Sequence, residues 1–260
     1  MKVLKDIAVE SFAHPDDTKL MKGLEAAKIN QLLEWLSGAS TKYTMEMTLM
    51  GRYIRLSEKD MPQLYRLLED VCRVLDYPQI PRVFMHRSKL FDWEVYIGKE
   101  PVIILTDFVL NDFDEGMLRF HLGTAVTALK AKTCQLRVAS TFAMGGLLVG
   151  IPVLGAALMP VLTGWARAAT LTEDRGGLLA CQDERAAWRY MFRLSGIPRE
   201  LIDEDIIQDY IAEYKPLNSV AHVSKNIQTI TQLKPWQNER LVALYDWYSS
   251  GAYDDILEDY

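Results

Sequence analysis

Apolar residues recur along this chain with two different spacings, and the switches between them mark where helices give way to strands. In residues 16–37, Leu20, Leu24, Ile29, Leu32, Leu33 and Leu36 return at roughly helical spacing, and Gly38 ends the run. Residues 43–56 mix β-branched, aromatic and Met side chains and read as extended. Ser57 then caps a helix to about Asp76, with Leu64, Leu67, Leu68, Val71, Val74 and Leu75 on its apolar stripe. Three strands are predicted next, at 82–86, 93–97 and 102–106, separated by breakers near Lys89 and Gly98. A helix over about 114–132 follows. Beyond an uncharged stretch at 138–166, the pattern predicts helices near 168–194, 199–214, 217–231 and 236–249. Helices enclosing one small sheet, with every strand in the first half, define an α+β class.

No internal repeat, low-complexity tract or Pro/Gly/Ser-rich linker divides the 260 residues, so they read as one domain. Within it, 1–60 is a helical and extended lead-in, 61–195 the core and 196–260 a set of C-terminal helices. The net charge of −6 gives no basic stripe for a nucleic-acid partner. Cys72, Cys134 and Cys181 are odd in number and lack C-x-x-C spacing, which favours buried free thiols in a reducing compartment. The first 17 residues carry no apolar stretch of signal-peptide length. A cytoplasmic location is expected.

The helix over 114–132 contains Leu118-Arg119-Phe120-His121-Leu122-Gly123-Thr124-Ala125-Val126-Thr127-Ala128-Leu129. This segment resembles the L-R-x-V-L-G-H-E-L-G-H-I signature of the HtpX-type zinc metallopeptidases, whose H-E-x-x-H core falls on 124–128. A second segment, from Trp165 to Leu179, resembles the family's E-x-x-x-D-R-x-G-L pattern through Asp174, Arg175, Gly177 and Leu178, with Thr170 at the Glu position. The likeness extends along the chain. Phe12, His14, Pro15 and Asp17 resemble an F-x-H-P-x-D opening. Met61-Pro62-Gln63-Leu64-Tyr65 with Cys72 resembles a Q-x-P-x-L-Y…C helix. Lys234-Pro235, Arg240, Trp247 and Gly251-Ala252-Tyr253 resemble an H-P…R…W…G-x-Y ending, with Lys in place of His. The resemblance implies a zincin-like (gluzincin) fold.

It also implies where the chemistry would sit. In a zincin, two His one turn apart and a later Glu hold zinc, and the Glu after the first His activates the metal-bound water. An Asp one turn beyond the third ligand is placed to orient a His ligand. Here those positions hold Thr124, Ala125, Ala128 and Thr170, leaving Asp174 as the retained supporting residue. The departures fall on chemistry and the agreements on architecture, so no cofactor is expected. A displaced zinc site from His121, Glu173 and Asp174 is the alternative, but His121 and Glu173 sit on helix faces neighbouring the original ones. Thr124 and Thr127 are expected to return hydrogen bonds to backbone carbonyls. Consecutive helical carboxylates at 173 and 174 point about 100° apart, which favours a solvated face or a bond from Asp174 to a nearby helix.

The stretch 138–166 is long enough, as a helix of about 43 Å, to cross a bilayer. The resemblance rules against one crossing, because the helices on either side must pack together. A buried helical hairpin, a peripheral membrane contact through 138–166 and a partner-covered surface are the readings left. The expected function is a non-catalytic metallopeptidase homologue acting as a binding or regulatory module. A protein or peptide would be captured in the former cleft, beside the sheet near 102–106. An active zinc endopeptidase with displaced ligands and a purely structural subunit are the rivals.

Overall fold

The computed structural model describes residues 1–26, 46–47, 49–87, 93–97, 100–134, 152–220 and 234–260. Two strands, β2 (Arg82–His86) and β4 (Pro101–Thr106), run parallel through the middle of a four-stranded sheet, with Arg82 opposite Val102 and His86 opposite Thr106. Outside β2 lies β1 (Ile54–Leu56) and outside β4 lies β3 (Trp93–Ile97), both antiparallel to their neighbours. All six residues of β4 are buried, as its continuous apolar run demands of an interior strand. One face of the sheet, including Val83, Val95, Ile103 and Leu105, joins the main core. The other carries Phe84, Val102 and Ile104, covered by Leu49 and Tyr53.

That cover corrects the extended reading of 43–56. Residues 46–47 and 49–52 are helical, and only Ile54–Leu56 is strand. Leu49 and Tyr53, four residues apart, lie on one side of a helical turn that docks on the sheet. Residues 43–45 and 48 of that stretch lie outside the described ones.

The helix α1 (Pro15–Ala26) matches the described part of the helix predicted at 16–37. Next comes α2 (Pro62–Val74), which buries the predicted stripe. Ser57 does not cap it. Met61 occupies the cap without a side-chain bond, while the Ser57 hydroxyl donates to Asp60 at 2.6 Å in a preceding turn. Pro62 starts the helix instead, since its missing N–H costs nothing there.

A short helix α3 (Asp107–Asp112) leads into α4 (Glu115–Lys130), capped by Asp114, whose carboxylate accepts from the Met117 N–H at 2.9 Å. From Phe120 to Leu129 every residue of α4 is buried, which makes it the central helix. It packs on α2, on β3 and above all on α5 (Pro152–Cys181). The structure joins two predicted segments here: 152–166, the described part of the uncharged stretch, runs through Pro160 into the Asp174 helix without a break. The predicted hairpin turn falls outside the described residues. No helix among the described residues is long and apolar enough to cross a membrane.

The helix predicted at 168–194 is divided at Gln182, whose φ is +47°, and Asp183 caps α6 (Glu184–Leu194). After a 3-10 turn at Arg199–Leu201, α7 (Glu204–Val220) spans the predicted gap at 215–216. The rest of the helix predicted at 217–231 lies outside the described residues. Then α8 (Gln237–Ser249) ends at Gly251, in the left-handed region at φ +84°, and α9 (Ala252–Asp259) closes the chain. That last helix, only eight residues long, went unpredicted.

Candidate functional site

The two segments that resemble the metallopeptidase motifs form one contact, between α4 and α5. Small residues set its closeness. A Cβ added at Gly176 would lie 1.9 Å from Thr127 Oγ1, and one at Gly177 would lie 2.7 Å from Thr124 Cγ2 and 3.0 Å from the Phe120 carbonyl. One at Gly123 would meet Ala180 at 2.5 Å. The backbones touch because no side chain separates them.

Thr124 is 1% exposed, Ala125 and Ala128 are 0% and Thr170 is 4%. The Thr124 hydroxyl donates to the His121 carbonyl at 2.8 Å, and the Thr170 hydroxyl to the Ala166 carbonyl at 3.0 Å. Thr124 therefore behaves as predicted, whereas the Thr127 hydroxyl abuts Gly176. Thr124 stands level with Gly177, and Thr170 lies seven residues, about 10 Å of helix, away along α5. Two hydroxyls turned back on their own helices and two methyl groups offer no imidazole or carboxylate. This donor set does not fit zinc.

The acidic and His residues nearby are bound up elsewhere. His121 is fully buried, with Nδ1 3.0 Å from the Tyr190 hydroxyl on α6 and its ring edge-on to Phe113. Glu173 is not on a solvated face. It is 1% exposed and accepts from the Thr133 hydroxyl at 2.7 Å, while Thr133 also donates to the Ala128 carbonyl at 3.3 Å, at the end of α4. Asp174, 1% exposed, takes a two-pronged bond from Arg240 on α8, Nε at 2.9 Å and Nη2 at 2.6 Å. Burial alone would lower the Arg240 pKa, but the Asp174 carboxylate and a bond to Tyr190 outweigh it and raise the pKa above the usual arginine value.

Arg240 can only donate, so the Tyr190 oxygen accepts from it, while the direction of the Tyr190–His121 bond follows the His121 tautomer. A polar chain, Asp174–Arg240–Tyr190–His121, thus links α5, α8, α6 and α4 through the core. The sequence gives no signal for Tyr190, which sits in an ordinary amphipathic helix. The candidates His121, Glu173 and Asp174 face different partners, and among the described residues no group of three His, Cys, Asp or Glu is placed to hold a metal ion.

The remaining motif residues hold helices together. The Asp17 carboxylate accepts from the Thr172 hydroxyl at 2.6 Å, and the His14 backbone N–H donates to the Thr172 hydroxyl oxygen at 3.0 Å. Arg175 donates to the Phe12 and Ala13 carbonyls and lies 5.1 Å from the centre of the Trp247 ring. Burial lowers its pKa to about 10. His86 ends β2 against the Tyr53 ring, and His222 lies outside the described residues. Cys72, Cys134 and Cys181 are free and buried, as predicted, and burial pushes the Cys72 and Cys181 thiols up to about 12.

The sheet edge differs from the prediction. Residues 102–106 form the interior strand β4, with both of its edges already paired, and the outer strand beside α4 is β3. Its neighbour on one side is β4. Cavities of about 500 and 570 Å³ lie elsewhere, the first between α6, α7 and α8, the second between α2 and α4. Neither is lined by Thr124 or Thr170.

No protein-family model matches the chain, and no solved structure matches it. It is similar to plastoglobule-localized metallopeptidase 48, chloroplastic, of Arabidopsis thaliana. The identity is 23% over 278 aligned positions, covering 98% of this chain and 77% of the relative. A similarity that runs from end to end supports a metallopeptidase family for this chain.

Proposed function

We propose that this chain is a non-catalytic, zincin-like member of the HtpX-type metallopeptidase family, retained as a binding or regulatory module. One observation carries the reading: Thr124 and Thr170 are buried with their hydroxyls returned to their own helices, and Ala125 and Ala128 fill the positions of the general base and second His. Metal-assisted hydrolysis has no ligands and no base here. What survives is the frame, and β3 beside α4 offers the edge on which an extended peptide could add as a further strand. The location in the relative's name, together with the absence of a spanning helix among the described residues, supports peripheral residence at a lipid surface.

Elemental analysis of the purified chain after mild dialysis tests the central claim. Less than a tenth of an equivalent of zinc is expected, with no casein hydrolysis when zinc is added. One equivalent, lost on His121→Ala, would overturn the reading and establish a displaced site.

A further inference from the structure

Two of the large apolar side chains left in water lie close together on one helical turn. Met47 is 58% exposed and Met50 63%, on the helical turn that precedes β1, whereas Ile54, 73% exposed, pairs with Met85 and so shares the opposite face of the sheet. Met47 and Met50 are three apart on the helical turn whose opposite side seats Leu49 on the sheet. No described residue covers those two outward side chains, and solvent exposure of such a pair is unfavourable.

Two positive charges beside them, Arg52 and Arg55, have no ion-pair partner among the described residues. Both are exposed, Arg52 touching only the Tyr53 ring at 5.9 Å. Glu46 is committed to Arg82 at 2.7 Å. Asp60 is held in the Ser57 turn, and Glu58 and Lys59 offset each other. Apolar tips flanked by unpaired guanidinium groups suit the boundary between acyl chains and anionic headgroups. A second copy suits it less well, because a two-fold contact would set these arginines against their own counterparts. A peptide strand would gain little ladder from a β1 of three residues.

We infer that this turn is a lipid-surface contact, in which Met47 and Met50 enter an anionic bilayer and Arg52 and Arg55 meet its headgroups. The inference rests on the peripheral reading above and assigns it a site separate from 138–166. The net charge of −6 makes most of the remaining surface repel such a bilayer, so the protein docks in one orientation.

The test is co-sedimentation of the full chain with phosphatidylcholine vesicles, with and without phosphatidylglycerol. Wild type should bind the anionic vesicles, less so at high salt. The variants Arg52→Glu/Arg55→Glu and Met47→Ser/Met50→Ser should each weaken binding about tenfold or more. All of these positions are exposed, and unchanged circular dichroism would show that the variants fold. Binding equal to wild type in both variants would overturn the inference. If Val161→Asp then abolished binding, the peripheral reading would stand with its contact on α5. Failure of wild type to bind either vesicle would overturn both. So would a wild-type dimer that the Arg variant dissociates, with no lipid binding by the monomer.

Discussion

Removing one member of the Asp174–Arg240 pair should cost more stability than any surface change in this chain. Asp174 is 1% exposed and the Arg240 side chain 7%, so neither group regains water when its partner is lost. Two charge-assisted bonds, at 2.9 and 2.6 Å, now satisfy both. Asp174→Asn leaves a buried guanidinium without its counter-charge, and Arg240→Met leaves a buried carboxylate. Breaking a buried pair from one side costs roughly 3–5 kcal/mol. For a domain of this size that is roughly 6–20 °C of melting temperature.

Replacing both partners removes the unpaired charge, so Asp174→Asn/Arg240→Met should be less destabilised than the sum of the single variants by about 2 kcal/mol or more. Urea unfolding followed by circular dichroism gives all three values. Single variants within about 1 kcal/mol of wild type, or strictly additive losses, would refute the idea that this pair pins α5 to α8. They would instead place Asp174 in a site open enough for water to replace Arg240.

Gly176→Ala should destabilise the fold by about 1–3 kcal/mol, because its Cβ would fall 1.9 Å from Thr127 Oγ1; Thr127→Ala in the same chain should recover part of the loss in the same urea assay. The fourfold change Thr124→His, Ala125→Glu, Ala128→His and Thr170→Glu should give zinc binding at best, with destabilisation in chelator. Robust casein hydrolysis would show that the cleft still works as a protease groove. Cys72 and Cys181 should resist a thiol reagent at neutral pH and react after unfolding. Their raised pKa values stabilise the fold fully below the unfolded thiol value near 9. That contribution should fall as the pH climbs from there toward about 12, which urea midpoints measured against pH would show.

Local pattern exposed much of the architecture. The strands at 82–86 and 93–97 and the stripe of α2 were legible because half-buried or buried segments repeat with the period of their own geometry. The helix over 114–132 was legible for another reason, since Asp114 announces its start even though the helix is buried almost all round. Errors arose where a tertiary contact decided. Residues 46–47 and 49–52 turn helical because Leu49 and Tyr53 must cover Phe84, Val102 and Ile104, on strands that the local sequence does not contain. The break at Gln182 is a left-handed residue followed by an Asp cap, a signal hidden inside a continuous helical pattern. The partners of the candidate site residues were not legible. That Glu173 faces Thr133, and that His121 reaches Asp174 only through Tyr190 and Arg240, depends on how four helices meet.

On the reading proposed above, those partners also explain how the positions of a zincin metal site could be occupied without the fold being lost. Zinc in a zincin ties two helices together from within, contributing ligand bonds at the contact that must stay polar and open. Here the same two helices are joined by methyl and glycine contacts at Thr124, Thr127, Gly176 and Gly177, which need the opposite: closeness and the exclusion of water. The polar stabilisation of this region lies in the Arg240 fork on Asp174 and the Thr133 bond to Glu173. Each arrangement excludes the other. A His at 124 would have to enter the space that Gly177 and Thr124 now share, so restoring ligands forces the helices apart before any metal can draw them together.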